Sequence, residues 1–132
     1  MEPTPWVTLA PAEPDAEYLV MLTYLPLARL RKLPAFLRGT LAIRRQLEHT
    51  DGVLGYSMRA RPLRLQFWTL SAWRNRAALN AFVRVRPHLG AMADLRGGMG
   101  SARFIEWRVR GAALPPKWED AMQRFERETA DG

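Results

Sequence analysis

The nine residues EYLVMLTYL, from Glu17 to Leu25, contain no helical spacing of apolar positions. Large aliphatic, β-branched and aromatic side chains predominate in them, which is typical of a central strand that is buried on both faces. Pro26 follows directly and ends the predicted strand, because proline donates no hydrogen bond to a neighbouring strand. We therefore predict that the fold is built around this strand.

The segments on either side of this strand are an irregular arm and a helix. Residues 1–16 contain four prolines and almost no periodic apolar pattern, which predicts an irregular N-terminal arm. After the strand, Pro34 suits the first turn of an amphipathic helix. The residues that recur at spacings of three and four are Phe36, Leu37, Thr40, Leu41, Ile43 and Leu47.

This first helix has a predicted polar stripe and a clear end. Arg31, Arg38 and Arg45 recur every seventh residue, which predicts a solvent-exposed stripe. Asp51-Gly52 forms a turn after the helix, since glycine tolerates a positive φ. His49 lies near the helix end, where the helix dipole favours a positive ring, and we predict a capping role for it.

Two strands and a second helix follow. The runs 53–60 and 63–70 are strand-like and are separated by Arg61-Pro62, which predicts a hairpin. Ser71 is a predicted N-cap for a helix whose shared face contains Trp73, Ala77, Ala81, Phe82 and Val85. Residues 102–109 form the last predicted strand, with Phe104 and Glu106 on the face opposite to Ile105. The order is strand, helix, strand, strand, helix, strand.

The C-terminal residues predict an additional helix. In KWEDAMQRFERE, residues 117–128, the apolar residues Trp118, Ala121, Met122 and Phe125 repeat at spacings of three and four. Such a helix can lie over an open edge or mouth of the domain. We therefore predict an α+β fold of the ferredoxin-like βαββαβ type with an antiparallel sheet. Its units are the arm 1–16, the domain 17–111 and the helical extension 112–132.

The amino-acid composition limits the classes of function that the chain can have. The 132 residues suit one domain, and 48% hydrophobic with 25% charged residues predicts a packed core. The chain has no cysteine, which excludes disulfides, thiolate nucleophiles and cysteine metal sites. The net charge of +7 comes mainly from scattered arginines without a basic tail. No secretory signal or membrane-spanning stretch is recognisable, so we expect a cytoplasmic protein without a membrane partner.

The candidate chemistry is limited to a few residues. No HExxH, GxSxG or phosphate-binding loop is present, and residues 97–100 run into a strand and form only a turn. His88 falls on the apolar face with Ala81, Val85 and Met92 if the second helix continues through Pro87. This placement fits either a satisfied core histidine or a site residue that moves a proton or binds haem iron.

The stretch WTLSAWRNRAALNAFVRVRPHLGAM, residues 68–92, resembles the dimeric α/β barrel proteins related to antibiotic biosynthesis monooxygenases and spheroidene monooxygenase-like proteins. In those families a strand ends in an aromatic residue, a helix carries an alanine-leucine segment, and a histidine follows. Trp68, Ala77-Ala78-Leu79 and Pro87-His88 match these features, and FIEWRV, 104–109, looks like the final strand. The resemblance covers roughly residues 17–111.

The resemblance implies a pocket between sheet and helices and a monooxygenase-like activity on a small hydrophobic substrate, aromatic or polyene. His88 is the implied catalytic residue, as proton shuttle or haem ligand, and the cofactor is either haem or none. The implied substrate-binding residues are Thr23, Tyr56, Met58, Trp68, Trp73, Phe82, Met92 and Phe104. The haem-degrading branch carries an asparagine on its first strand, where EYLVMLTYL offers only Thr23 as a small polar residue.

Two other functions and a homodimer are also considered. One alternative is a non-catalytic protein that binds haem or another small ligand. RNA binding shares the βαββαβ order and suits a basic chain, but RLQFWTL lacks the glycine-aromatic motif of RNA-recognition domains. We rank it last, so nucleic acid is not an expected partner. A sheet covered on one face leaves the other apolar, and this predicts a homodimer.

Overall fold

The computed structural model describes residues 3–27, 30–83 and 103–131. The strands are β1 (Val7–Thr8), β2 (Glu17–Pro26), β3 (Val53–Arg61), β4 (Gln66–Trp73) and β5 (Arg103–Arg110). The helices are α1 (Leu33–Glu48), α2 (Arg76–Val83) and α3 (Trp118–Asp131). Short 3-10 turns occupy Leu30–Lys32, Pro62–Arg64 and Gly111–Ala113.

The five strands form one antiparallel sheet in the order β1-β3-β4-β2-β5. Without β1, the sequence of elements is βαββαβ, so the predicted ferredoxin-like α+β fold is confirmed. The nine-residue run that opens the domain does form a central strand, between β4 and β5. The N-terminal arm is not wholly irregular, because Val7 and Thr8 pair with Tyr56 and Gly55 at the edge of β3.

We call the side of the sheet beneath α1 and α2 the helix face. Leu47 of α1 with Leu79 and Phe82 of α2 packs there against buried strand residues, namely Leu19, Val53, Tyr56 and Trp73. Nearer the start of α1, Phe36 stacks on Phe67 with ring centroids 4.3 Å apart. Leu37 and Leu41 were expected on the buried face of α1, but they are 49% and 56% exposed. The sheet instead contacts Phe36, Ile43 and Leu47.

We call the opposite side of the sheet the second face. Helix α3 covers it, and its Ala121 is fully buried against a cluster that includes Tyr18, Val20, Leu22 and Leu70. Trp118 Nε1 donates a hydrogen bond to Ser57 Oγ at 2.9 Å, and Ser57 Oγ donates to the carbonyl of Thr4 at 2.6 Å. The second face is therefore not bare. The homodimer stays a prediction, and it requires another interface or the displacement of α3.

The predicted helix caps agree with the structure at the end of α1 but not at the start of α2. Ser71 does not cap α2, because β4 continues to Trp73 and Asn75 Oδ1 accepts the N–H of Ala78 at 2.9 Å instead. His49 is at the C-terminal cap of α1, as predicted, and it is exposed. Among the described residues, no helix is both long and apolar enough to span a membrane.

Candidate functional site

Strand register places four side chains in one row across the helix face. Met58 is opposite Thr69, Thr69 is opposite Thr23, and Thr23 is opposite Phe104, so the row crosses β3, β4, β2 and β5. In-register residues of neighbouring strands project to the same side of a sheet. The two threonines and Met58 are half-buried, and Phe104 is 61% exposed. The row combines two hydroxyl groups with apolar side chains that are not fully packed.

The next row brings a buried phenol close to charged groups of α1. Tyr56 is 1% exposed and belongs to the row that also contains Ser71, Met21 and Glu106. Its hydroxyl donates to Glu48 Oε1 at 3.1 Å and accepts a hydrogen bond from Arg44 Nε at 3.3 Å. The guanidinium carbon of Arg44 also lies 5.7 Å from the centroid of the Tyr56 ring. These contacts fix the phenol and the position of α1 above the row.

Trp73 and Phe82 pack against each other in the buried cluster between the sheet and α2. Their ring centroids are 5.2 Å apart, and both side chains are buried. Trp73 Nε1 donates to Ser71 Oγ at 2.8 Å, so its polar atom is satisfied within the sheet. Gln46 Nε2 donates to the carbonyl of Phe82 at 3.0 Å, which ties α1 to α2. Trp73 and Phe82 therefore shape the site from beneath and offer little surface to a ligand.

An ion pair fixes the start of α2 to β5 at the border of the site. Both terminal nitrogens of Arg76 donate to the carboxylate of Glu106, one of them to Oε1 at 3.1 Å. These hydrogen bonds lower the pKa of Glu106. Burial acts in the opposite direction, and the charges of Arg76 and Arg108 lower this pKa further. Such a fork-to-fork pair fixes orientation as well as distance.

The lowered pKa of Glu106 predicts a pH dependence of stability. A carboxyl with a folded pKa below its ordinary value of 4.5 stabilises the fold above that value, and this contribution is lost as the pH falls through the folded pKa. The free energy of unfolding of Glu106→Gln is therefore expected to fall less than that of the wild type between pH 7 and pH 3. Urea unfolding at both pH values measures this difference.

Glu128→Gln is a matched control for this experiment, because it removes an exposed carboxylate on α3. It is expected to follow the wild type more closely than Glu106→Gln does. Equal acid sensitivity of the wild type and Glu106→Gln would show that the Arg76–Glu106 pair contributes nothing to stability.

The structure groups most of the predicted site residues that it describes. Those that project from the helix face or pack against it are Thr23, Tyr56, Met58, Trp73, Phe82 and Phe104. Trp68 does not join them, because it is opposite Arg59 and Tyr24 in a row of the second face. The prediction that Trp68 and Trp73 line one cavity is therefore wrong. His88 and Met92 lie outside the described residues, and their roles stay predictions.

Sequence reasoning did not single out Thr69, although it belongs to the central row. The sequence could have identified it, because Thr69 and Phe67 alternate with Trp68 and Leu70 and therefore lie on one face of the predicted strand. The contacts of Arg44 and Glu48 with Tyr56 had no comparable signal, since they depend on the angle at which α1 crosses the sheet. Among the described residues, no group of three metal-ligating side chains occurs.

No protein-family model matches the chain, and no curated protein matches it. Solved structures do match. A protein from Lactobacillus acidophilus proposed to be a monooxygenase has a TM-score of 0.65 at 11% identity, and the match covers 80% of this chain and 49% of that protein. SnoaB, a cofactor-independent oxygenase from Streptomyces nogalater, has a TM-score of 0.59 at 12% identity, covering 77% of this chain and 100% of SnoaB.

A proposed antibiotic biosynthesis monooxygenase from Nitrosomonas europaea also has a TM-score of 0.59, at 16% identity, with 67% of this chain and 95% of that protein covered. The chain has an antibiotic biosynthesis monooxygenase-like fold. It spans about half the length of the Lactobacillus protein and nearly all of the other two. At these identities the shared feature is the fold, and function depends on the site that the fold carries.

Proposed function

We propose that the chain is a monooxygenase-like enzyme that acts on a small hydrophobic substrate, aromatic or polyene, bound between the sheet and its helices. The observation that carries this proposal is the row Met58–Thr69–Thr23–Phe104 on the helix face. A ligand site typically combines an apolar surface with a few polar groups that fix orientation. The row has this composition. The structural match to SnoaB, a cofactor-independent oxygenase, supports the proposal of a monooxygenase-like enzyme.

The proposed roles follow from the chemistry of the row. Phe104 and Met58 pack against the flat apolar body of the substrate, because both are incompletely buried. The hydroxyls of Thr23 and Thr69 donate hydrogen bonds to a substrate oxygen that gains negative charge when the adjacent carbon loses a proton. We propose His88, outside the described residues, as the group that accepts this proton.

A polycyclic carbon acid such as anthrone illustrates the balance of the reaction. Loss of the proton gives a carbanion whose charge is shared with the ring oxygen, and this anion reduces O2. One oxygen atom remains on the ring carbon, and the other leaves as water with the two hydrogens of that carbon. Anthrone and O2 thus give anthraquinone and water, with no further reductant. The protein's part is to bind the ring, stabilise the anion and move the proton.

The experiment measures O2 uptake and anthraquinone formation with anthrone as the substrate. The isosteric double variant Thr23→Val/Thr69→Val is expected to lower kcat about 100-fold, the size of effect seen when a donor to a developing oxyanion is removed. Thr8→Val is the matched control, because Thr8 is exposed on the edge strand β1, and it is expected to retain activity. No oxidation above the buffer rate, or equal rates in all three proteins, would contradict the proposed function.

The alternative of a haem-binding protein depends on His88. The only described histidine, His49, is exposed at the end of α1 and is not part of the helix-face rows. The described residues therefore supply no axial histidine at this site, and we derive no step through haem. Titration of the protein with haem, followed at the Soret band, separates the alternatives. A saturable band that His88→Ala abolishes would favour haem binding, whereas no band in either protein would exclude it.

A further inference from the structure

The turn between β3 and β4 presents a large apolar side chain to solvent. Leu63 lies in the 3-10 turn Pro62–Arg64 at the tip of this hairpin, and its side chain is fully exposed. No other large hydrophobic side chain of the described residues is exposed to this extent. A single exposed leucine is common on protein surfaces, so its meaning depends on what surrounds it.

The backbone beside Leu63 has a strained conformation that the fold holds in place. Leu65 has a φ of 55°, in the left-handed region that a bulky residue rarely adopts. Its carbonyl accepts the N–H of Leu27 at 2.8 Å, and its side chain packs against the buried cluster of Leu27, Phe36 and Phe67. These contacts fix Leu65 towards the core and leave Leu63 on the outer side of the turn. Such strain calls for a functional explanation.

The end of the molecule that carries this turn is also basic. The basic residues there are Arg31, Lys32, Arg61 and Arg64. The two that precede α1 belong to this end because Leu33, the next residue, packs against the same cluster as Leu65. None of the four forms an ion pair with a carboxylate of the described residues. Glu119 and Glu126 of α3 line a cavity beside Arg59 on the second face, not the tip of the turn.

A projecting leucine among unpaired cations suits an anionic lipid surface. Lipid phosphates accept hydrogen bonds from guanidinium groups, and hydrocarbon lies directly beneath them for the leucine. A nucleic acid would bind the cations but offers no comparable apolar layer to Leu63. The expected absence of a membrane partner depended on the absence of a spanning stretch, and a peripheral contact needs no such stretch.

We propose that the β3–β4 turn docks the protein on the surface of a bilayer that contains anionic lipid. Leu63 inserts just below the headgroups, and the four basic residues around the turn bind lipid phosphates. The contact weakens as the salt concentration rises, because it depends on charge at an exposed surface. It does not rest on the proposed oxygenase activity, whose row of side chains lies on the helix face.

A fluorophore at the tip tests the insertion directly. The chain has no cysteine, so Leu63→Cys carries a single environment-sensitive label such as NBD. Vesicles of mixed phosphatidylcholine and phosphatidylglycerol are expected to shift its emission to the blue in a saturable way, whereas phosphatidylcholine alone leaves it unchanged. Leu41→Cys with the same label is the matched control, because Leu41 is 56% exposed about two turns beyond the start of α1. Its emission is expected to stay constant.

Co-sedimentation of unlabelled protein with the same vesicles measures each contribution. Leu63→Ser is expected to lower the partition coefficient at least about tenfold, because the leucine no longer leaves water. Arg31→Gln/Arg64→Gln is expected to lower it about fivefold for each arginine removed. Arg45→Gln/Arg110→Gln removes the same charge at the other end of the molecule, from the last turn of α1 and the end of β5. This control is expected to bind nearly as the wild type does.

Three results would overturn the proposal. The first is equal binding to the two kinds of vesicle, or binding to neither. The second is wild-type binding by Leu63→Ser, which would show a contact of charges alone, as with a nucleic acid or an acidic protein. The third is an equal loss in the two arginine pairs, which would assign the attraction to net charge. Leu63→Ser is expected to keep anthrone oxidation, so this proposal and the oxygenase proposal fail separately.

Discussion

Ala121→Glu is expected to separate α3 from the sheet and to lower the free energy of unfolding by at least about 3 kcal/mol, because it places an unpaired charge in an apolar contact. Ala121 is fully buried and packs into the cluster of Tyr18, Val20 and Leu22 on the second face. A glutamate there cannot reach solvent without lifting the helix. Urea unfolding measures the loss of stability, and light scattering after gel filtration measures the molar mass.

The molar mass is informative because the second face becomes exposed when α3 is displaced. Large exposed apolar patches promote association, so Ala121→Glu is expected to form dimers or larger species. Gln123→Glu is the matched control, since it adds the same charge at an exposed position two residues away on α3, and it is expected to behave as the wild type does. Equal stability of the two variants would mean that the packing of α3 contributes nothing.

This helix also shows what a sequence pattern can and cannot predict. The spacing of Trp118, Ala121, Met122 and Phe125 predicted an amphipathic helix, and the structure confirms it. The pattern identifies an apolar stripe but not the surface that the stripe covers. The homodimer prediction assumed that the second face was bare, and that assumption is wrong because residues about a hundred positions apart meet there.

The two tryptophans of β4 are a second case in which the sequence pattern did not predict which surface a side chain contacts. The sequence pattern ended the strand at Leu70 and placed Trp73 on the following helix. On that basis Trp68 and Trp73 were both predicted to line the substrate pocket. The strand in fact runs to Trp73. Residues five apart on a strand point to opposite faces, and the two indoles are therefore separated by the sheet. A three-residue error at a strand end decided which side chains share a site.

Ser71 explains why that end was misplaced. Serine favours helix N-caps, and its preference is local. In the fold, the neighbouring strands extend past Ser71, and its hydroxyl accepts the N–H of Trp73 instead. Asn75 then caps α2. By contrast, the central strand β2 was predictable from its sequence, because burial on both faces demands a continuous apolar run that local alternatives do not imitate.

Gly111→Ala is expected to destabilise the fold by at least about 3 kcal/mol, the range of a severe steric conflict with backbone. A Cβ at this position would meet the carbonyl oxygen of Glu13 in the N-terminal arm at far less than a normal contact distance. The conflict cannot be relieved by a side-chain rotation, because Gly111 N–H donates to the carbonyl of Ala16 at 2.8 Å and Ala112 N–H donates to that of Pro14 at 3.1 Å. These bonds fix the arm and β5 against each other.

The same substitution at Gly39 is expected to have the opposite sign. Gly39 lies inside α1, where replacing glycine by alanine stabilises a helix by about 0.5–1 kcal/mol through a smaller loss of backbone entropy. Urea unfolding of the two variants compares one chemical change in two environments. If Gly111→Ala were as stable as the wild type, the arm would not be docked on the end of β5.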